Sequence, residues 1–195
     1  MKKITIIGTG YVGLVSGAGL AEFGHSVSCV DIDQEKIKNL NNGQIPIHEP
    51  GLDIIVKNNT REGRLTFSSN IEKNIQEAKI IFIAVGTPQD EKGIADLTAV
   101  KSVVKLVAGN LNNYKIICTK STVPVGTGKW IESEIKSRAS NDNFDYVSNP
   151  EFLREGAAVN DFLYPDRIVL GSLSEKAFSE MREIYRPLYI NKTPI

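Results

Sequence analysis

The sequence predicts an α/β fold: a doubly wound, mainly parallel sheet with helices on both faces. Three observations carry this. Short runs rich in β-branched residues alternate with stretches of helical periodicity along the whole chain. The motif Gly8-Thr9-Gly10-Tyr11-Val12-Gly13 stands where the first such run gives way to the first helical stretch, and Asp31 closes the second run. Alternation of this kind implies right-handed βαβ crossovers, and hence a parallel sheet covered on both sides.

The elements follow in order. "KITIIG" is a short β-branched strand, and "YVGLVSGAGLAEFG" carries apolar residues at helical spacing until Gly24 ends it. "SVSCVDID" is a second strand and "QEKIKNLNNG" a second helix. The looser "QIPIHEPGLDIIVKNNTREG" holds one short helix beginning near Pro50. "RLTFSS" is a third strand and "KIIFIAVGTP" a fourth. "ADLTAVKSVVKLVAGNL" reads as an amphipathic helix with Asp96 near its start. "YKIICTKST" gives a fifth strand, "GTGKWIESEIKSR" a helix and "DYVSNP" a sixth strand. "RIVLGS" reads as a seventh strand and "SEKAFSEMREIY" as a last helix.

Composition excludes several functions. The 23 basic residues balance the 23 acidic ones with no block of like charge, so neither a nucleic-acid stripe nor a basic membrane patch is expected. No segment approaches the roughly 18 uninterrupted apolar residues of a membrane span. The opening "MKKITIIGTG" is too short in its apolar run, and too soon broken by glycine, for a secretion signal. Cys29 and Cys118 lie inside apolar strands and read as buried thiols rather than a disulfide, which points to the cytoplasm. His25 and His48 are isolated, without metal-ligand spacing; both read as surface or loop residues, and no metal is expected.

In open parallel sheets, ligands bind beyond the carboxyl ends of the strands. The strand ends are therefore the places to look for chemistry. The G-x-G-x-x-G context is that of a Rossmann-like dinucleotide site: Gly8 permits the tight turn and Gly10 lets the backbone approach a pyrophosphate. Gly13 allows close helix–strand packing, and the helix start at Tyr11 and Val12 offers unpaired amides. Asp31 would accept from both ribose hydroxyls and repel a 2′-phosphate, which favours NAD over NADP; the alternative is that it merely caps the next helix. Later strand ends present Thr87, then Lys120-Ser121-Thr122, then "SNPEFLREG". Thr87, Ser121 and Asn149 are also good helix caps, and capping is expected to account for some of them. It would not account for Glu151 and Glu155, four apart and therefore on one face if that segment is helical.

The segments "IIGTGYVGL", "VDID", "EPGL", "VGTPQ", "GIADLTAV", "KSTVPVGT", "NPEFLREG" and "PDRIVLG" occur in the order found in the UDP-glucose/GDP-mannose dehydrogenase family, which the chain resembles from end to end. The resemblance implies a four-electron oxidation of a nucleotide sugar, with UDP-glucose favoured, in which a 6-hydroxymethyl becomes a carboxylate and two NAD+ are reduced in turn. By the same resemblance Asp31, Lys36, Thr87 and Ser121 contact the cofactor, and Glu155 lies near the nicotinamide ribose. Thr122 helps hold a catalytic water and Glu151 is its acid–base partner. The backbone of Phe152, Leu153, Arg154 and Glu155 forms an edge for the sugar.

Such an oxidation also needs a nucleophile to capture the aldehyde formed by the first hydride transfer, and a thiolate suits that task. The family carries it in a glycine-rich motif beyond the region that ends here at Ile195, and neither Cys29 nor Cys118 has such surroundings. Residues 1–195 are thus expected to be the NAD-binding domain of a longer enzyme, without the central helix and the second, UDP-sugar-binding domain. The complete enzyme is expected to be a homodimer or higher oligomer. The alternatives are a stand-alone NAD-binding module without catalysis, or the same domain of a GDP-mannose or UDP-N-acetylated-sugar dehydrogenase.

Overall fold

The computed structural model describes residues 1–139 and 143–195. Strands β1 (Lys3–Ile7), β2 (Ser26–Val30), β3 (Leu65–Ser68), β4 (Ile80–Ile83), β5 (Lys115–Thr119) and β6 (Phe144–Ser148) form one sheet in the order β3-β2-β1-β4-β5-β6. Every neighbouring pair is parallel. The winding runs outward from β1 to β3, returns to place β4 beside β1, and then runs outward the other way. The register Ile7↔Ile83 sets the two inner strand ends level, so a crevice opens just beyond them, at the reversal of strand order.

The strands lack the alternation of a half-solvated sheet because both faces are covered: every residue of β4 and β5 is buried. On one face, α1 (Tyr11–Glu22), α3 (Leu52–Arg61) and α8 (Glu175–Ile184) bring Leu14, Val56 and Met181 into the core that holds Ile6, Phe82 and Cys118. On the other, α4 (Ile71–Glu77), α5 (Thr98–Gly109) and α6 (Thr127–Arg138) pack Ile75, Val104 and Ile131 against the side that holds Ile7, Ile81 and Ile117. Nine of the twelve residues of α1 are buried. Its close approach to the sheet depends on Gly17, where an added Cβ would lie 2.2 Å from Cys29 Sγ.

Short polar side chains cap several helix starts. Asp33 caps α2 (Gln34–Asn41) by accepting from the Lys36 amide, and Ser174 caps α8 from the Ala177 amide. Ahead of α5, Asp96 accepts from the Thr98 amide and hydroxyl at 2.8 and 2.6 Å.

Three expectations differ. The "RIVLGS" segment is not a seventh strand: it meets the sheet in a single antiparallel bridge, Gly171 with Ser148. Its backbone is held elsewhere, the Ile168 amide by the Pro194 carbonyl and the Val169 carbonyl by the Asn149 side chain. Ile168 and Leu170 still pack on the core, which is why the apolar pattern imitates a strand. Helices α4 and α7 (Ala158–Leu163), and the 3-10 turn Arg186–Asn191, were not expected; at seven and six residues the helices are too short to show a clear period. Finally, His25 is buried, not superficial. Its Nδ1 accepts from the Lys2 amide, Nε2 faces the Ile184 carbonyl at 3.0 Å, and burial holds its pKa below the ordinary histidine value.

Candidate functional site

The glycine turn begins with Gly8, whose φ of +103° is in the region that favours glycine. Its amide bonds Val30 O at 2.8 Å, and a Cβ there would meet Ala84 O at 2.7 Å. At Gly13 a Cβ would lie 1.9 Å from Gly8 O, so the turn and α1 close on each other only without side chains. Gly10 is different: nothing lies within 4 Å of its would-be Cβ. It heads α1 without a side-chain cap, and no acidic residue occupies the first turn. The first amides of a largely buried helix are left facing open space, an arrangement suited to an anion.

That space is a cleft of about 240 Å³ walled by Gly10, Tyr11 and Val12 on one side, Thr87 on a second, and Ser121 and Thr122 on a third. Asp31 stands at the end of β2 and does not cap α2, a task that falls to Asp33. It accepts instead from the Thr9 amide and hydroxyl, from the Asp33 amide, and from Lys36 Nζ at 3.4 Å. Burial raises its proton affinity, but the bonds from Thr9 and Asp33 and the charge of Lys36 outweigh this and leave its pKa below the ordinary aspartate value.

None of Thr87, Ser121 or Asn149 caps a helix, contrary to expectation. The Thr87 hydroxyl donates to Thr122 O at 2.8 Å, and that of Ser121 to Val85 O at 2.6 Å, so the two side chains staple the loops after β4 and β5 together. Asn149 Oδ1 accepts from Tyr185 Oη at 2.6 Å and from Lys120 Nζ at 3.3 Å. Lys120 is 4% exposed, and burial pushes its pKa down to about 8.

Lys120 also borders a second cavity, of about 340 Å³, with Glu151, Phe152, Arg154, Asp161 and Arg167. The segment from Asn149 to Ala157, of which residues 150–154 line this cavity, is irregular, so Glu151 and Glu155 do not share a helical face. Side-chain bonds to the backbone replace helical ones here. Glu151 Oε2 accepts from the Leu153 amide at 2.6 Å, and Asp161 of α7 from the Arg154 amide at 2.9 Å while also pairing with the Arg154 guanidinium. Arg167 lies over the Phe152 ring, 4.7 Å from its centroid. Glu155 is exposed and lines neither cavity.

Sequence reasoning passed over Glu49. It lies in the "EPGL" segment, is 4% exposed, and joins Tyr11 to the backbone at Gly156 and Ala158. A carboxylate directly before Pro-Gly was the available signal, but its partners lie 38 and more than 100 residues away. Among the described residues, no group of three or more His, Cys, Asp or Glu side chains could hold a metal ion, and no helix is long and apolar enough to cross a membrane.

A doubly wound parallel sheet, a glycine turn at its switch point and an ionised aspartate at the end of β2 define a dinucleotide-binding domain. Residues 2–189 match the UDP-glucose/GDP-mannose dehydrogenase family, NAD binding domain, and the chain belongs to that family. It is 52% identical over 190 residues to UDP-glucose 6-dehydrogenase TuaD of Bacillus subtilis, a match covering 97% of this chain and 41% of that protein. It is 50% identical to UDP-glucose 6-dehydrogenase of Rhizobium meliloti, covering 99% and 45%. Among solved structures, a UDP-glucose dehydrogenase from Pyrobaculum islandicum superimposes with a TM-score of 0.93 at 36% identity, over 96% of this chain and 44% of that one. A ternary complex of GDP-mannose dehydrogenase from Pseudomonas aeruginosa gives 0.94 at 32%, over 99% and 45%. The chain thus spans less than half the length of these relatives.

Proposed function

We propose that this chain is the cofactor-binding part of a longer enzyme that oxidises UDP-glucose to UDP-glucuronate with two NAD+. The observation that carries this reading is the adjacency of the two cavities: Ser121 and Thr122 wall the dinucleotide cleft, while Lys120, one residue earlier, and Glu151 wall the second cavity. Bound NAD would supply the hydride acceptor. The amides at Gly10, Tyr11 and Val12 would hold its pyrophosphate, Asp31 and Lys36 its adenosine ribose, and the Thr87–Ser121 staple would fix the opposite wall.

Where the two cavities adjoin, Thr122 from the cleft side and Glu151 from the second cavity would position a water and take its proton. The water oxygen would bond to the acyl carbon of a thioester while the thiolate leaves. The thiol must come from outside residues 1–195. Cys29 and Cys118 are fully buried strand residues, and burial pushes the Cys29 thiol up to about 12 and that of Cys118 higher still. Two free, buried thiols suit a reducing, cytoplasmic setting.

The test is to mix the chain, and separately the longer protein that contains it, with NAD+ and UDP-glucose. The chain alone should bind NAD+ without forming NADH, and the longer protein should form two NADH per sugar. NADH production by residues 1–195 alone would overturn the division of labour; a longer protein inactive on UDP-glucose but active on another nucleotide sugar would overturn the substrate.

A further inference from the structure

Tyr11 belongs to both cavities. As the first residue of α1 it walls the dinucleotide cleft beside Gly10 and Val12. Its hydroxyl points the other way, donating to Glu49 Oε1 and lying 3.0 Å from the carbonyl of Arg154, a residue of the second cavity's wall. The Glu49 carboxylate collects two further donors from the stretch that follows that wall, the Gly156 amide at 2.5 Å on Oε1 and the Ala158 amide at 3.0 Å on Oε2. The Tyr11 hydrogen bond is the largest influence on Glu49 and, with the two amides, outweighs burial to hold its pKa below the ordinary glutamate value. Burial and Glu49 together raise that of Tyr11. At neutral pH the tyrosine is therefore the donor and the carboxylate the acceptor.

The segment gripped in this way has little regular structure of its own. Gly156 has φ +83°, and between Asn149 and Ala157 no helix or strand fixes the chain. Its course rests on Glu151 with the Leu153 amide, on the Arg154–Asp161 pair, and on Glu49. The first two ties are internal to residues 151–161. Among the described residues, the hydrogen bonds that fasten the segment to the element meeting the dinucleotide run through the Tyr11 hydroxyl, directly to the Arg154 carbonyl and by way of Glu49.

We infer that Glu49 is a positioning residue that couples occupancy of the dinucleotide cleft to the conformation of residues 151–158. A dinucleotide on the first amides of α1 restrains the Tyr11 backbone, which restrains its hydroxyl. A better-held hydroxyl keeps the Glu49 carboxylate on the Gly156 and Ala158 amides and sets the wall of the second cavity. Linkage requires the reverse as well: whatever orders residues 151–158 tightens the hold on the dinucleotide. The inference rests on the cofactor occupying the glycine turn, and its second arm on the nucleotide-sugar reading of the neighbouring cavity.

Amide hydrogen exchange at Gly156 and Ala158, read in this chain with and without NAD+ at concentrations that saturate each variant, tests the coupling. In the wild type, NAD+ should slow both amides by about fivefold, the low end of ordinary site-to-site coupling. Glu49→Gln should speed exchange at both amides without NAD+ and abolish the response to it. Tyr11→Phe keeps the carboxylate and both amide bonds, so it should retain most of the NAD-free protection yet lose the NAD-induced slowing; a purely structural role for Glu49 would not produce that split. An unchanged NAD response in Tyr11→Phe, or wild-type exchange in Glu49→Gln, would overturn the coupling while leaving the cofactor site intact. Failure of the wild type to bind NAD+ would instead remove the cofactor reading, and the coupling with it.

Discussion

The amide and the hydroxyl of Thr9 converge on one oxygen of Asp31, at 2.8 and 2.7 Å. The residue proposed to read a ribose is also a strut of the glycine turn, and the two tasks would use different lone pairs. Among the described residues the other carboxylate oxygen holds only the Asp33 amide, at 3.1 Å, and retains acceptor capacity for sugar hydroxyls.

Asp31→Ala should therefore do two things. NAD+ affinity should fall by about 1–3 kcal/mol, the range for losing charge-assisted bonds and leaving their donors unpaired, and the preference over NADP+ should narrow; calorimetric titration of both dinucleotides reads this. The ligand-free fold should also weaken at neutral pH. Asp31 has a lowered folded-state pKa, so its contribution is present above the ordinary aspartate value and disappears as pH falls through the folded one. Urea titrations of wild type and variant should converge in acid. Equal wild-type affinity for NAD+ and NADP+ would count against the ribose role.

The glycines of the turn should separate by mechanism. Gly10→Val places its side chain in open space and the fold should survive, but the volume taken is that needed by a pyrophosphate, so NAD+ binding should be lost. Gly13→Ala drives a Cβ to within 1.9 Å of Gly8 O; it should destabilise the domain by roughly 1–3 kcal/mol, the usual cost of overpacking. Thermal melts with and without NAD+ distinguish the two: Gly10→Val should melt near the wild-type temperature with no upward shift on adding NAD+.

Much of the fold was legible because its signals are local. β-Branched runs, Asp96 near the start of its helix and the glycine turn are each read within a few residues. What failed was non-local. The "RIVLGS" run has a strand's composition, yet beyond one bridge to Ser148 its backbone is held by the Pro194 carbonyl and the Asn149 side chain. Asn149 and Ser121 look like caps in sequence, but their partners lie on neighbouring strand ends and on Tyr185. Glu151 and Glu155 have helical spacing on a segment that the Glu151–Leu153 turn and the reach of Glu49 keep from being a helix. His25 was placed at the surface because isolation in sequence says nothing about α8 folding over it.

Lys120 makes a prediction with a defined sign. Its folded-state pKa is lowered to about 8 by burial, so between there and the unfolded value near 10.4 the unfolded chain binds the extra proton. Stability from this group must therefore rise with pH across that window. The buried thiols act oppositely, since Cys29 and Cys118 resist ionising when folded, so the comparison must be between wild type and Lys120→Met. The wild type should gain on the variant by about 2 kcal/mol between pH 7.5 and 10, at about 1.4 kcal/mol per pKa unit. A difference independent of pH, measured by urea unfolding, would show that the Lys120 amine keeps access to water.

Glu151 offers the sharpest test of the proposed chemistry, because its two oxygens do different work. Oε2 accepts from the Leu153 amide and maintains the turn, while Oε1 has no hydrogen-bond partner among the described residues and is available to a water. Glu151→Gln can still accept that amide through its carbonyl oxygen but cannot take a proton; Glu151→Ala loses both. In the longer protein, Glu151→Gln should slow thioester hydrolysis by roughly the 10²- to 10⁴-fold that general base catalysis contributes. Hydride transfer in a single turnover should be much less affected, and a covalent sugar adduct should accumulate and be visible by mass spectrometry. Glu151→Ala should add a loss of sugar affinity, because the proposed sugar edge from Phe152 to Arg154 loses its tie at the Leu153 amide. If Glu151→Gln turns over at the wild-type rate without an adduct, the carboxylate serves only the turn, and the base must be sought elsewhere in the second cavity.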